Sequence, residues 1–333
     1  MRLVLTLLSL SFLGLSSAFH STIWRRSNGL SSSLSMLSDS TAVRSLWSER
    51  VEYVDLSAAD GEPSKTARSL PLFTLGSAFY PHGITYLNVF EMRYRTMMFD
   101  VANSDDMFGY IHCDESGRIA SVGTLCKITD RQLLDDGRQY ISLEGVSRFK
   151  VKKILKTLPY VLAEVEPYTD DDVPADDMAA MKLEGEVYDC LKYYLRLMKS
   201  YEPNKGLVVS QSAKRNRPSA AIAGDAKGNR ERRTSFSFSL ANMIQMTQPV
   251  ESQLLLQTTN VMQRLKAEKD ILSQASEMIA DQLIKMDVLT ADARDSLKFQ
   301  SFNDEKDSDI LPPDIVENEA VEEKDEWDLN NIV

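Results

Sequence analysis

The residue types that most often carry out nucleophilic and acid–base chemistry are scarce in this chain. Its 333 residues include three histidines and three cysteines, and one of each is adjacent to the other, as His112 and Cys113. An imidazole close to a thiol lowers the thiol pKa and so creates a nucleophile. Neighbouring residues of a β-strand point to opposite faces, however, so these two side chains are not expected to form a catalytic pair.

Other catalytic patterns are missing as well. The sequence contains no G-x-S-x-G elbow, no H-E-x-x-H pair and no Gly-Lys dipeptide, so it lacks the glycine-rich loop that cradles nucleotide phosphates. A hydrolase would need His82 or His112 beside a serine or cysteine in a pocket. We therefore predict no catalytic residue and no cofactor, with an unrecognised hydrolase as the enzymatic alternative.

The cysteines and the net charge narrow the classes of partner. Cys113, Cys126 and Cys190 are far apart and form no C-x-x-C pair, which argues against a zinc site or a disulfide framework and favours a reducing compartment. The net charge is −11. Because phosphate binding needs a concentrated basic face, this charge argues against nucleic acid as the main partner. No metal site is predicted.

The first 45 residues have the composition of targeting segments. Arg2 precedes an apolar run, Leu3 to Leu15, that is shorter than the roughly 20 residues of a membrane span, so residues 1–18 are predicted to be a signal peptide. Residues 19–45 carry arginines and many serines, with no acid before Asp39, and are predicted to be a plastid transit peptide. A single-pass anchor is the alternative, and no stable membrane span is predicted for the mature chain.

A signal peptide followed by a transit peptide resembles the bipartite presequences of proteins that enter complex plastids. In such presequences a phenylalanine follows the first cleavage point, and Phe19 has this place in Ser17-Ala18-Phe19-His20. The resemblance implies a chloroplast location, in the stroma of a complex plastid, and the lack of paired cysteines favours it. Secretion or the endomembrane system is the alternative.

Short β-branched and aromatic runs recur between residues 70 and 168, after an irregular linker at 46–69. Gly, Pro, Asp and Asn separate them, which predicts a small barrel or sandwich of short strands rather than βαβ units. Gly145 lies inside the longest run and predicts a bulge or a sharp bend. Strands are predicted at 70–75, 84–89, 108–113, 121–129, 139–155 and 160–168.

One helix is predicted inside this barrel region. Asn88 and Glu91 have the spacing of an N-terminal capping pair. Apolar residues then recur at the helical period and form one stripe. The stripe consists of Phe90, Tyr94, Met97, Met98 and Val101.

The period becomes helical after the barrel region, and residues 176–292 are predicted to be a helical subdomain. A segment at 203–234, rich in basic and helix-breaking residues, is predicted to be a disordered insert. Residues 303–328 contain twelve acidic residues, and the tail at 303–333 is also predicted to be disordered. The insert either docks an acidic surface, such as this tail, or is a solvated loop.

Three segments of the barrel region resemble the N-terminal, substrate-binding domain of Lon proteases, a module also found in cereblon. The helical region from Phe236 to Leu272 resembles the bundle that follows the barrel in this family. Thr74 and Met92 depart from the family pattern, which commonly has proline at both places. The matching segments are Leu70-Pro71-Leu72-Phe73-Thr74-Leu75-Gly76 with Phe79-Tyr80-Pro81, the run from Asn88 to Met97, and Gly123-Thr124 with Leu143-Glu144-Gly145-Val146-Ser147-Arg148-Phe149.

The resemblance implies an α+β fold in which a PUA-like β-barrel, residues 70–168, precedes the helical subdomain. It also implies a non-enzymatic module that binds unfolded or exposed polypeptide segments and acts as an adaptor for a separate protease or chaperone. Binding would combine apolar burial with main-chain hydrogen bonds along a sheet edge or in the groove between barrel and bundle. The alternatives are an RNA-binding PUA-like module, with phosphate contacts from the basic insert, and the hydrolase already named.

The predicted peptide contacts lie in an aromatic turn and at the start of the following helix. Such a turn is able to offer an exposed apolar anchor to an extended peptide, although its two aromatic rings equally suit closing the end of the barrel. The candidate peptide-binding residues are Phe79, Tyr80, Pro81, Ile84, Arg93 and Tyr94.

Overall fold

The computed structural model describes residues 50–58, 68–171, 178–201, 211–222, 224–244 and 249–299. The predicted signal peptide, transit peptide and acidic tail lie outside these residues, as do parts of the linker and of the basic insert. Within the described residues a sheet-rich domain is followed by helices, which confirms the predicted α+β class.

Each of the six predicted strands has a counterpart in the sheet-rich domain. Two further strands, β1 and β5, are only two residues long and leave no clear sequence pattern. The described strands are β1 (Tyr53–Val54), β2 (Arg68–Leu75), β3 (Ile84–Val89), β4 (Met107–His112), β5 (Ile119–Ala120), β6 (Val122–Leu133), β7 (Gln139–Lys156) and β8 (Val161–Pro167).

The long strand β7 closes the barrel. The sheet runs from β7 through β6, β4 and β2 to β8, and β8 pairs again with the second half of β7. These pairs are antiparallel except for β2 and β4, which are parallel. The first half of β7 also pairs with β3, which therefore lies at the end of the sheet, outside the closed ring.

Strand β7 bends at Gly145, which confirms the predicted bulge. Leu125 of β6 lies opposite Ser147, whereas its neighbour Cys126 lies opposite Gly145, so Val146 is an extra residue. A Cβ atom on Gly145 would lie 2.4 Å from the carbonyl oxygen of Tyr80. The bend therefore requires a residue without a side chain, because the backbone of the aromatic turn lies against it.

Helix α1 (Met92–Ala102) packs its apolar stripe on the barrel core, but it begins later than predicted. Phe90 lies before the helix and is exposed. The predicted capping pair is wrong: Glu91 is the N-cap residue, makes no side-chain cap bond and pairs with Arg93 instead. Because β3 continues to Val89, Asn88 is still in a strand and does not reach the helix.

The helices that follow the barrel pack around two long ones, α2 (Met178–Tyr201) and α6 (Val261–Lys285). Apolar residues of these two helices and of α4 (Ala226–Ile244) form one buried cluster that includes Val187, Phe236 and Leu265. Within the described residues, no helix has the length and apolarity needed to cross a membrane. These helices are α2 (Met178–Tyr201), α3 (Gln211–Arg215), α4 (Ala226–Ile244), α5 (Pro249–Gln257), α6 (Val261–Lys285) and α7 (Ala291–Phe299).

The predicted disorder of the basic insert is wrong for the part that the structure describes. Residues 211–215 form α3, and the first turns of α4 begin at residue 226. Arg232 and Arg233 both pair with Glu184 of α2, and all three side chains are almost fully buried. These two arginines are therefore neutralised inside the helical subdomain, whereas Arg215, Arg217 and Lys227 of the same segment are exposed.

Candidate functional site

The structure separates the six predicted peptide-binding residues into two groups. Ile84 and Arg93 are exposed. The others are buried and do not face a peptide at the surface, so the prediction of an exposed aromatic anchor is wrong for them. The buried residues are Phe79, Tyr80, Pro81 and Tyr94.

Tyr80 belongs to the joint, the buried contact between the barrel and the helices. Its ring stacks on Phe238 of α4 with 6.4 Å between centroids, and its hydroxyl donates to the carbonyl oxygen of Ser252 at 3.1 Å. Burial raises the pKa of Tyr80 far above its usual value, so the hydroxyl stays a donor. The apolar part of the joint consists of Tyr80, Val122, Phe238, Ala241, Leu255, Leu256 and Ala267.

The backbone of the aromatic turn is held by α4. Asn242 donates from Nδ2 to the carbonyl oxygen of Pro81 at 2.8 Å. A Cβ atom on Gly83 would lie 2.5 Å from Oδ1 of the same asparagine. The turn therefore fits closely between β7 and α4, and its aromatic residues hold the two parts of the molecule together.

A network of buried charged groups crosses the joint. Asp170, which follows β8, accepts a hydrogen bond from Arg148 of β7 and two, at 2.6 and 2.9 Å, from Arg264 of α6. Thr234 donates to the same carboxylate at 2.7 Å, and both arginines donate to the carbonyl oxygen of Thr258. Burial opposes ionisation of Asp170, but the hydrogen bond from Arg264 and the charges of both arginines lower its pKa below the usual value.

Glu268 of α6 extends this network into the helices. Ser237 accepts a hydrogen bond from Nε of Arg264 and donates one to Oε1 of Glu268, both at 2.8 Å. Within the described residues the second carboxylate oxygen has no hydrogen-bond partner. Burial raises the pKa of Glu268 to about 8, against the opposing effects of the Arg264 charge and the Ser237 bond. This carboxyl group is therefore protonated near neutral pH.

The His112–Cys113 pair is not arranged for nucleophilic chemistry. His112 is buried, and its Nε2 lies 3.3 Å from the hydroxyl of Tyr53 rather than beside the thiol. Burial raises the pKa of Cys113, which keeps the thiol protonated and unreactive at neutral pH. In the part of the chain that the structure describes, no group of three or more His, Cys, Asp and Glu side chains is placed to hold a metal ion.

A polar cavity of about 280 Å³ lies where the barrel meets α5 and α6. Glu52, at its wall, already accepts a hydrogen bond from Lys150, and Asn260 caps the N-terminus of α6. Such a lining does not suit an apolar segment, so the groove between barrel and bundle is the weaker of the two predicted binding places. The cavity is lined among others by Glu52, Tyr168, Asp171, Gln257 and Asn260.

Large apolar side chains of β3, of the loop that follows it and of α1 are exposed. In β3 the residues of one face point to the core, whereas Ile84 and Tyr86 on the opposite face point to solvent. Met92 and Phe99, two turns apart, share one face of α1. These exposed residues are named the β3–α1 surface, which consists of Ile84, Tyr86, Phe90, Met92 and Phe99, each more than half exposed.

Only Ile84 of this surface is among the residues predicted from the sequence. A signal for Tyr86 exists, because β3 reads Ile-Thr-Tyr-Leu-Asn-Val and is apolar on both faces, whereas a strand with one solvated face normally alternates apolar and polar residues. Phe90 fits the helical period by coincidence, since the helix begins only at Met92. Phe99 has a signal as well, because it lies outside the buried stripe that runs from Tyr94 to Val101, and the helical period places it on the opposite face of α1.

The barrel, the helical region and their joint define an α+β module of two parts. The family model described as the ATP-dependent protease La (LON) substrate-binding domain matches residues 69–274, which is more than half of the chain. The chain therefore belongs to this family, as the sequence resemblance implies. The substrate-binding domain is the part of a Lon protease that is found here; its protease and ATPase domains are not.

Solved structures of Lon N-terminal domains are similar to this chain. A Lon N-terminal domain protein from Xanthomonas campestris is 23% identical, with a TM-score of 0.38, and the match covers 60% of this chain and 95% of that one. The N-terminal domain of the Mycobacterium avium complex Lon protease is 14% identical, with a TM-score of 0.45, and the match covers 62% of this chain and 98% of that one.

Proposed function

We propose that this protein is a recognition module that binds unfolded or exposed polypeptide segments through the β3–α1 surface and performs no catalysis itself. The observation that carries this proposal is the exposure of five large apolar side chains within one short stretch of the chain, from Ile84 to Phe99. Contiguous apolar groups left in water are unfavourable and commonly mark interaction sites. Membership of the Lon substrate-binding family also supports the proposal, because the substrates that a domain of this kind binds for a protease are polypeptides.

The aromatic and thioether side chains of this surface suit varied apolar partners. Tyr86 and Phe90 supply large, rigid contact areas, and Met92 adds a flexible side chain that adapts to different shapes. The charged residues Arg93 and Glu91 pair with each other beside them, at 2.8 Å. Binding is therefore expected to depend on apolar burial and to change little with salt.

A binding assay with an unfolded protein tests the proposal. Fluorescence anisotropy of labelled, reduced and carboxymethylated α-lactalbumin should show saturable binding to the mature chain. The double variant Tyr86→Ser with Phe90→Ser should weaken binding at least tenfold. The control Leu158→Ser, which changes a still more exposed apolar residue between β7 and β8, should leave binding unchanged. No saturable binding, or equal losses in both variants, would remove the proposal.

The fate of the bound segment is a second part of the proposal. Because the chain matches the substrate-binding domain of a Lon protease, we infer that it delivers clients to a separate protease or chaperone, in the plastid stroma that the presequence implies. Proximity labelling in intact cells, with the labelling enzyme fused after the last residue, should recover stromal proteases or chaperones. Recovery of secretory proteins alone would contradict this location.

A further inference from the structure

Within the part of the chain that the structure describes, strand β3 has one edge that pairs with no other strand. Its other edge pairs with the first half of β7. An edge strand presents a row of N–H and C=O groups that are able to accept another strand. Natural proteins usually protect such an edge with charged residues, proline or a covering element. β3 instead carries Ile84 and Tyr86 on its outward face.

The hydrogen-bond register shows which groups point away from β7. Gly145 of β7 donates from its backbone nitrogen to the carbonyl oxygen of Gly83 at 2.9 Å. In an antiparallel pair only alternate residues bond to the partner. The N–H and C=O groups of Ile84, Tyr86 and Asn88 therefore point to the free side, and the two exposed apolar side chains belong to the same residues.

The molecule already contains one segment added at a strand edge. β1, which lies before the residues that match the family, pairs antiparallel with β5, with Tyr53 opposite Ala120. Val54 and Leu56 of the same segment pack against the barrel core. An extended segment is thus docked on this barrel by main-chain hydrogen bonds together with apolar side chains, and β3 offers the same combination.

Strand β3 itself carries no charged side chain, and the charges on the neighbouring strands and after β3 occur in opposite pairs. On the outward face Glu144 lies between its cross-strand neighbours, Ile84 on β3 and Lys127 on β6. At the other end of the strand Arg93 pairs with Glu91. The edge therefore suits a segment of low net charge. A run of like charges would be attracted by one member of each pair and repelled by the other, and so would gain nothing.

We propose that an extended polypeptide segment of low charge, with apolar residues at alternate positions, adds to the free edge of β3 as a further strand. The inference rests on the proposed function and specifies its mode: main-chain hydrogen bonds to Ile84, Tyr86 and Asn88 supply affinity, and the exposed side chains select apolar residues on the outward face. A segment held in this way is recognised by its conformation rather than by one sequence.

Amide hydrogen exchange in the full mature chain tests the mode directly. Without client, the outward amides of Tyr86 and Asn88 should exchange quickly, whereas those of Thr85 and Leu87, which bond to β7, should be protected. Saturation with the carboxymethylated α-lactalbumin should slow exchange of Tyr86 and Asn88 at least tenfold. Client binding without this protection would overturn strand addition and leave the proposed function standing, whereas the absence of any binding would overturn both.

A pair of variants at one position provides the second readout. Tyr86→Thr and Tyr86→Pro both remove the aromatic ring, but only the proline also removes the outward N–H. Because that N–H does not bond to β7, the proline is compatible with an edge strand, and circular dichroism verifies the fold. The proline variant should bind about tenfold more weakly than the threonine variant, the scale of one lost hydrogen bond. Equal affinities would overturn the proposal.

Discussion

The joint and the β3–α1 surface place similar side chains in opposite environments. Tyr80 is buried in the joint with its hydroxyl bonded to α5, whereas Tyr86, in the next strand, is 72% exposed. The joint also buries the charges of Arg148, Asp170 and Arg264. Both arrangements are unfavourable in isolation. A buried charge loses its hydration, and an exposed apolar side chain forgoes the stabilisation of about 25 cal/mol for each Å² that burial would remove from water.

The difference between the two regions lies in their partners. In the joint, Asp170 is bonded to both arginines and to Thr234, so the cost of burying the charges is offset within the chain. On the β3–α1 surface the exposed rings of Tyr86 and Phe90 remain in water. The joint therefore stabilises the fold, whereas the β3–α1 surface gains stabilisation only when another molecule buries it. Variants that separate stability from binding test this division.

The largest effect on stability is expected from Asp170→Asn. The change keeps the shape of the side chain but leaves Arg148 and Arg264 buried without a negative partner, so the free energy of unfolding should fall by about 4 kcal/mol. The control is Glu91→Gln, which breaks an exposed ion pair with Arg93 and should cost less than about 1 kcal/mol. Urea unfolding measures both; equal costs would show that the joint network is not structural.

The two tyrosines should separate stability from binding. Tyr80→Ala removes a buried ring from the joint and should lower the free energy of unfolding by about 3 kcal/mol. Tyr86→Ala should change it by less than about 0.5 kcal/mol, because the ring is in water. Client affinity should show the reverse order once both variants are measured well below their unfolding temperatures. A large loss of stability in Tyr86→Ala would mean that this ring serves the fold.

The barrel itself could be predicted from the sequence because short-range patterns specify it. The bounds of β3 agree with the prediction, and Gly145 marks the bulge correctly. The burial of Tyr80 could not be predicted, because it depends on Ser252, which is 172 residues away along the chain. The same is true of Arg232, whose charge is neutralised by Glu184 of another helix. The composition of a segment describes that segment alone. The positions of Tyr80 and Arg232, by contrast, depend on residues that are distant along the chain.

The candidate site was harder to predict than the fold for a related reason. Phe99 lies opposite the apolar stripe of α1, so the helical period places it away from the core, but the pattern does not show whether another element covers it. β3 has apolar residues on both faces, a pattern that is equally typical of a strand covered on both sides. Burial had to be known before the surface could be distinguished from the core.

The joint should also respond to pH through Glu268. Because burial raises its pKa to about 8, the native state holds a proton that the unfolded state releases above about pH 4.5, the ordinary value. Stability from this group is therefore complete at low pH and is lost as pH rises to about 8. Relative to wild type, Glu268→Gln should gain stability steadily as the pH rises through this interval. Unfolding midpoints of wild type and variant between pH 5 and 9 measure this gain. A difference between the two proteins that does not change with pH would show that the pKa of Glu268 is not raised by burial.

The smallest contrast compares two asparagines, one beside each region. Asn260 accepts hydrogen bonds from the backbone nitrogens of Met262 and Gln263 and caps α6, so Asn260→Ala should cost about 1 kcal/mol. Within the described residues Oδ1 of Asn88 has no partner, so Asn88→Ala should change the free energy of unfolding by less than about 0.5 kcal/mol. Thermal unfolding resolves the two. If Asn88→Ala lowered the free energy of unfolding more than Asn260→Ala, the Asn88 side chain would act as a helix cap. The free end of β3 would then stabilise the fold rather than bind a partner.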